Sequence, residues 1–213
     1  MIIWGYKTRM SKNGDDVLKN SCPGCKGDLE LTDLKKWFTL YFIPIFPFQH
    51  IDTFYKCEKC EQTYKQEIKE MLKKNKPSKE IIDESKKQFA IILTACMTHM
   101  AKADGTIGKT EKEEIDNIAK QLPQFKTELK KVFDKVKDAK SDTYVMNLLK
   151  EATKTLTADG IMMVMGNVAR VLLADGKIDK KEEALMKKFL KACDLSEVLY
   201  DIIIIKVKEA MKK

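Results

Sequence analysis

A chain of 213 residues, 44% of them hydrophobic, carries enough apolar side chain to bury one or two cores, which excludes a disordered or low-complexity protein. Its formal net charge of +8 permits acidic partners without demanding them, because Lys alternates closely with Glu and Asp and residues 1–70 are nearly neutral. The most apolar run, Trp37–Phe48, is broken by Pro44 and Pro47 and falls short of the about 20 residues a membrane span needs, and nothing in Met1–Tyr6 reads as a signal peptide. Four of the six cysteines sit in C-x-x-C pairs, as metal sites in reducing compartments do, so the cytosol is the expected compartment.

Residues 1–66 read as a small β unit. Ile2–Tyr6 and Phe38–Ile43 are rich in β-branched and aromatic residues, and Ile51–Tyr55 leads a further strand into the second of two cysteine pairs. Pro44 and Pro47 bar a central, fully paired strand. The pairs Cys22-Pro23-Gly24-Cys25 and Cys57-Glu58-Lys59-Cys60 each place two thiolates two residues apart, the spacing that grips one tetrahedral metal. Pro23 and Gly24 suit the tight turn between them, and Gly27 frees the backbone behind the second thiolate. Four sulfurs make a closed structural zinc site with no open position for water, so zinc catalysis is not expected. A short domain so poor in apolar core is expected to fold only with its metal. His50 is surplus to the tetrahedron.

Residues 67–79 turn to Lys and Glu with Pro77-Ser78 inside them, a charged linker or helix start with Ser78 as its cap. From about residue 80 the period is helical. Phe89, Ile92, Leu93, Cys96, Met97 and Met100 form a buried stripe, and similar stripes run through Ile115–Leu122, Leu129–Val136, Tyr144–Leu149, Ile161–Leu172, Leu185–Leu190 and Leu199–Val207. Six or seven helices are expected. Cys96 and Cys193 fall in these stripes as small buried hydrophobes.

The helical part repeats with a shift of 71 residues, which lays Ala103-Asp104-Gly105-Thr106-Ile107 on Ala174-Asp175-Gly176-Lys177-Ile178, Glu111 on Glu182, and Met97, Met100 and Ile118 on Val168, Val171 and Phe189. Two similar helix-loop-helix halves around one core follow. A third Ala-Asp-Gly, at 158–160, is read as a decoy, since Gly166 stands where the Glu belongs. Asp-Gly-x-Ile-x-x-x-Glu copies the second half of an EF-hand loop, but Met100 and Lys102, and Val171 and Leu173, replace that loop's first ligands, so an EF-hand is rejected. Helix punctuation explains most of the motif: Gly105 and Gly176 as left-handed stops, Asp179 with Glu182 as a capping box, Gly108 as a poorer cap. Carboxylate–metal binding is the other reading of Asp104, Glu111, Asp175 and Glu182.

Two resemblances attach to these strings. Ile2–Lys7, Cys22–Cys25, the aromatic block Trp37–Pro47 and the closing Cys57/Cys60 pair resemble a zinc-ribbon family of small bacterial proteins whose function is largely unassigned. Residues 80–213, through the doubled Ala-Asp-Gly-x-Ile-x-x-x-Glu, resemble the TerB-like (tellurite-resistance B) family. That likeness implies an all-helical domain with internal pseudo-symmetry, divalent metal at the acidic residues, and links to metal or chemical stress and to membrane-associated assemblies. Lys102 and Lys109 weigh against the acidic cluster.

The expectation is therefore a β zinc ribbon joined to an all-α TerB-like domain, acting as a non-catalytic adaptor with structural zinc, a divalent cation at the acidic loops and an unidentified protein partner. The alternative is a nucleic-acid- or ribosome-binding zinc-ribbon protein, which the scarcity of Arg (Arg9 and Arg170) disfavours. No small-molecule substrate is expected, because no nucleophile elbow, P-loop or dinucleotide fingerprint is present and His50 and His99 offer little general-base chemistry.

Overall fold

A computed structural model describes residues 4–40, 43–74 and 78–211. The expected strand residues Ile2, Ile3, Tyr41 and Phe42, and Pro77 of the expected connector, lie outside them. The chain divides into two compact units, Met1–Glu84 and Ser85–Lys213.

The first unit is an antiparallel sheet in the order β1 (Trp4–Leu18), β2 (Leu29–Leu40), β3 (Ile43–Cys57) and β4 (Thr63–Lys65), followed by the short helix α1 (Ile68–Lys73). The strands are longer than the punctuation of the sequence suggests, because irregularities are absorbed inside the ladder instead of ending it. Gly14, with φ +69°, sits in the shift between Lys12 and Val17 of β1. Along β3 the β2 register skips one residue at three places, passing over Ile45, Phe48 and Ile51. Pro44 and Pro47 are tolerated because β4 pairs only with Phe54–Lys56, so the rest of β3 is an edge among the described strands.

The core of this unit gathers at the cysteine end. Cys22, Leu29, Tyr55, Cys57 and Ile68 are buried there together with Ile81, and Leu18, Leu31, Tyr64, Met71 and Leu72 pack around them. Residues 67–79 thus hold α1, whose Ile68 enters that core, and the first residues of α2 (Ser78–Ala101).

The second unit is helical: the remainder of α2, then α3 (Lys109–Gln121), α4 (Lys126–Asp138), α5 (Thr143–Thr155), α6 (Ala158–Leu172), α7 (Lys180–Ala192) and α8 (Leu199–Met211). The predicted stripes supply its core. Cys96, Met97, Met100, Leu149, Val168, Leu172, Met186, Phe189 and Leu190 are essentially inaccessible. The 71-residue repeat is exact at element level: α2 and α6 end at Ala101 and Leu172, and α3 and α7 run from Lys109 to Gln121 and from Lys180 to Ala192. Ala158-Asp159-Gly160 is the first turn of α6, capped by Thr157 Oγ1 accepting from Gly160 N at 3.3 Å. No described helix is long and apolar enough to cross a membrane.

Candidate metal centre

The loop after β1 and the turn after β3 fold into the same shape. In the first, Cys22 N donates to Gly27 O at 3.0 Å and Lys26 N to Cys22 O at 2.9 Å. In the second, Cys57 N donates to Gln62 O at 2.9 Å and Glu61 N to Cys57 O at 3.0 Å. Both chains reverse through a left-handed residue directly after the second cysteine, Lys26 and Glu61, each at φ +59°. Glu58 N donates to Asp28 O at 3.1 Å and joins the two knuckles.

This geometry aims four thiols at one point. The Sγ atoms of Cys22, Cys25, Cys57 and Cys60 all lie within 4.8 Å of one another, with Cys22–Cys60 at 3.6 Å and Cys25–Cys57 at 3.4 Å. A metal held at about 2.3 Å by four sulfurs needs tetrahedron edges of about 3.8 Å, so the set fits zinc. Gly27 is required by space: a Cβ there would stand 2.9 Å from Lys59 Cβ, 3.0 Å from Cys57 Sγ and 3.3 Å from Cys25 Sγ. The conformational freedom expected of Gly27 is supplied by Lys26 instead.

Burial works against a thiolate at Cys22, yet the Tyr64 hydroxyl, the Cys25 and Gly24 amides and Cys60 overrule it and bring the thiol down to about 6. A Gln62 amide favours the Cys60 thiolate, but burial and the three neighbouring sulfurs push it up to about 12. Four thiols in one cage cannot all ionise without a cation among them, which is the electrostatic argument for the metal. Tyr64 is a supporting residue that spacing did not identify; its Oη lies 3.6 Å from Cys22 Sγ and 2.7 Å from Gln62 Oε1, within reach of both acceptors. Its aromatic position four residues after Cys60 was the available signal. His50 stands apart, with Nε2 2.8 Å from Thr53 Oγ1.

The two Asp-Gly loops are copies down to single hydrogen bonds. Asp104 Oδ1 accepts from Thr106 N at 3.1 Å and Asp175 Oδ1 from Lys177 N at 2.9 Å. Glu111 Oε2 accepts from Gly108 N at 2.7 Å and Glu182 Oε2 from Asp179 N at 2.8 Å. Gly105 and Gly176 take φ +115° and +80°. Asp179 alone adds a side-chain cap, accepting from Lys181 N and Glu182 N. The fold brings both loops into one electrostatic neighbourhood. Burial raises Glu111 and Glu182 above the usual carboxylate range, a backbone amide opposes this in each, and negative charge on Asp104 and Asp175 adds to it. Among the described residues, the cysteines are the group whose donor atoms converge within reach of one ion; the four carboxylates do not. Lys102, weighed against the acidic cluster in the sequence, is engaged elsewhere: its Nζ donates to Val136 O at 2.7 Å and Ala139 O at 2.5 Å, closing the end of α4. Cys96 and Cys193 are buried thiols, with Cys193 pushed up to about 12 chiefly by burial.

Residues 20–107 match a zinc-ribbon family, and residues 90–201 match the family described as tellurite resistance protein TerB. No curated protein and no solved structure matches the chain. The four-sulfur cage falls in the first match and both Asp-Gly loops in the second, which spans more than half of the sequence. With a zinc ribbon ahead of its helical unit, this chain belongs to the TerB family.

Proposed function

We propose that this protein is a cytoplasmic, non-catalytic adaptor in a metal or chemical stress response, in which zinc locks the ribbon and the helical unit docks a protein partner. The observation that carries the reading is the closed cage: four sulfurs fill a tetrahedral metal and leave no coordination position for a substrate or an activated water. A docking role also needs a surface. The outer side of α8 supports it, since Val198, just before the helix, and Ile202 and Ile205 within it are exposed at the i, i+4, i+7 spacing of one stripe. In-cell crosslinking of the full chain is expected to give a discrete adduct that disappears in I202D/I205D; an unchanged adduct would move the docking surface elsewhere.

The second part of the proposal is a divalent cation at Asp104, Glu111, Asp175 and Glu182. Burial is the main reason Glu111 and Glu182 sit above the usual carboxylate range, and the smaller contribution from neighbouring acids, Asp104 and Asp175 among them, is the part a bound cation would relieve. Titration calorimetry with calcium and magnesium is expected to give heat in the zinc-loaded chain and none in E111Q/E182Q. Silence in the parent chain removes the sensing half and leaves the loops as helix punctuation. The nucleic-acid alternative is not favoured: Arg170 is tied to Glu114 Oε2 at 3.2 Å, and the ribbon's Lys12 is held by Glu30 and Glu58.

A further inference from the structure

The half of the ribbon away from the cysteines is built against the usual logic of a sheet. Where one face is covered, alternate residues are buried. In β3 the seven residues Ile45 to Ile51 are all exposed, so neither face of this stretch is covered. The exposed residues are mostly large and apolar: Ile45 and Phe46 at 51%, Phe48 at 46% and Ile51 at 43%, with Ile43 at 63% just before them. Ile45, Phe48 and Ile51 are the three residues that the bulges release from the β2 ladder. Bulges re-aim side chains, and here each re-aimed side chain is a hydrophobe set into water.

The charges are sorted along the ribbon as well. Residues 4–9, 35–40 and 43–50 contain Lys7, Arg9, Lys35 and Lys36 and no Asp or Glu. The nearest acids are already engaged: Asp33 is buried and paired with Lys35 at 2.8 Å, and Asp52 is paired with Lys65 at 2.7 Å. Lys36 Nζ lies 5.8 Å from the Phe48 ring centre. Both tryptophans, Trp4 and Trp37, also belong to this half, with Trp37 opposite Lys7 and Pro47.

We propose that the distal half of the ribbon docks on anionic lipid bilayers, with Ile45, Phe48 and Ile51 entering the headgroup boundary and Lys7, Arg9 and Lys36 meeting lipid phosphates. Exposed apolar residues and aromatic rings in a half of the ribbon whose charged side chains are Lys and Arg, with Lys36 beside Phe48, match the chemistry of that boundary. Single-stranded nucleic acid would also meet the cations and stack on Phe46 and Phe48, but Ile43, Ile45 and Ile51 give it no ring, whereas a bilayer takes up all five side chains.

The test uses the full zinc-loaded chain with vesicles of phosphatidylcholine containing about one-third phosphatidylglycerol, read by co-sedimentation and by tryptophan emission. Wild type is expected to sediment with these vesicles, shift its emission to the blue, and bind pure phosphatidylcholine far more weakly. I45S/F48S/I51S is expected to lose at least about tenfold in vesicle affinity while keeping its zinc and its circular dichroism. K7E/R9E should lose the preference for anionic lipid. The proposal is overturned if wild type stays in solution with both vesicles, if it binds both equally, or if the apolar variant binds as wild type does. It is equally overturned if vesicles are ignored while the apolar variant abolishes a dimer in light scattering or an affinity for single-stranded RNA.

Discussion

Gly27 and Asp33 show how much a single position carries in the ribbon. Any side chain at 27 collides with two of the four sulfurs, so G27A is expected to lower zinc affinity by about tenfold or more in chelator competition, with the four cysteines intact. Asp33 is 5% exposed in β2, where burial alone would raise its pKa. Lys35, Thr53, Asn13 and His50 overrule burial and hold the carboxyl well below the usual carboxylate range. A depressed folded pKa stabilises the protein fully above the unfolded value of about 4, and that contribution is lost as pH falls further. D33N should therefore cost roughly 1–3 kcal/mol near neutrality and flatten the acid limb of the ribbon's stability, measured by urea unfolding followed through tryptophan emission. The cysteine ligands were legible because metal geometry dictates their spacing. The left-handed Lys26 and Glu61 were not, since neither residue type favours that conformation and the knuckle's own hydrogen bonds impose it.

The duplicated loops give a controlled comparison at the level of elements. Helices α3 and α7 are the same length and begin at equivalent residues, but only α7 has a side-chain cap. D179A should cost about 1 kcal/mol, seen as faster hydrogen exchange in the first turn of α7. G108S should slow exchange in the first turn of α3 and gain a few tenths of a kcal/mol, since its Cβ meets only the movable Glu111 carboxylate, at 3.1 Å. The helices were readable from sequence because a buried stripe recurs at helical spacing over many residues, as Met97, Met100, Val168 and Val171 illustrate. The strands were harder. Ile45, Phe48 and Ile51 break the alternation that marks a strand, so β3 reads as fragments until its ladder is seen.

On the scale of the whole chain, the two units draw their stability from different sources. The ribbon has a small core gathered around its thiols, and the zinc that such domains bind contributes about 10–16 kcal/mol to folding. The helical unit rests on an extensive apolar interior. Chelation should therefore expose the amides of residues 22–27 and 57–64 to exchange while α5, α6 and α7 stay protected. Composition places the change of architecture near residue 80, yet Ile81 packs with the ribbon's core and the division falls at Glu84. No residue type marks that boundary, because one amphipathic helix spans it. The placement of the six cysteines also makes the molecule its own stopwatch. Four sulfurs belong to the ribbon, while Cys96 and Cys193 are sealed in the helical interior. A slow alkylating reagent should then capture thiols in two waves, the first of four timed by metal release and the second of two timed by opening of the bundle, so one unlabelled sample reports both lifetimes.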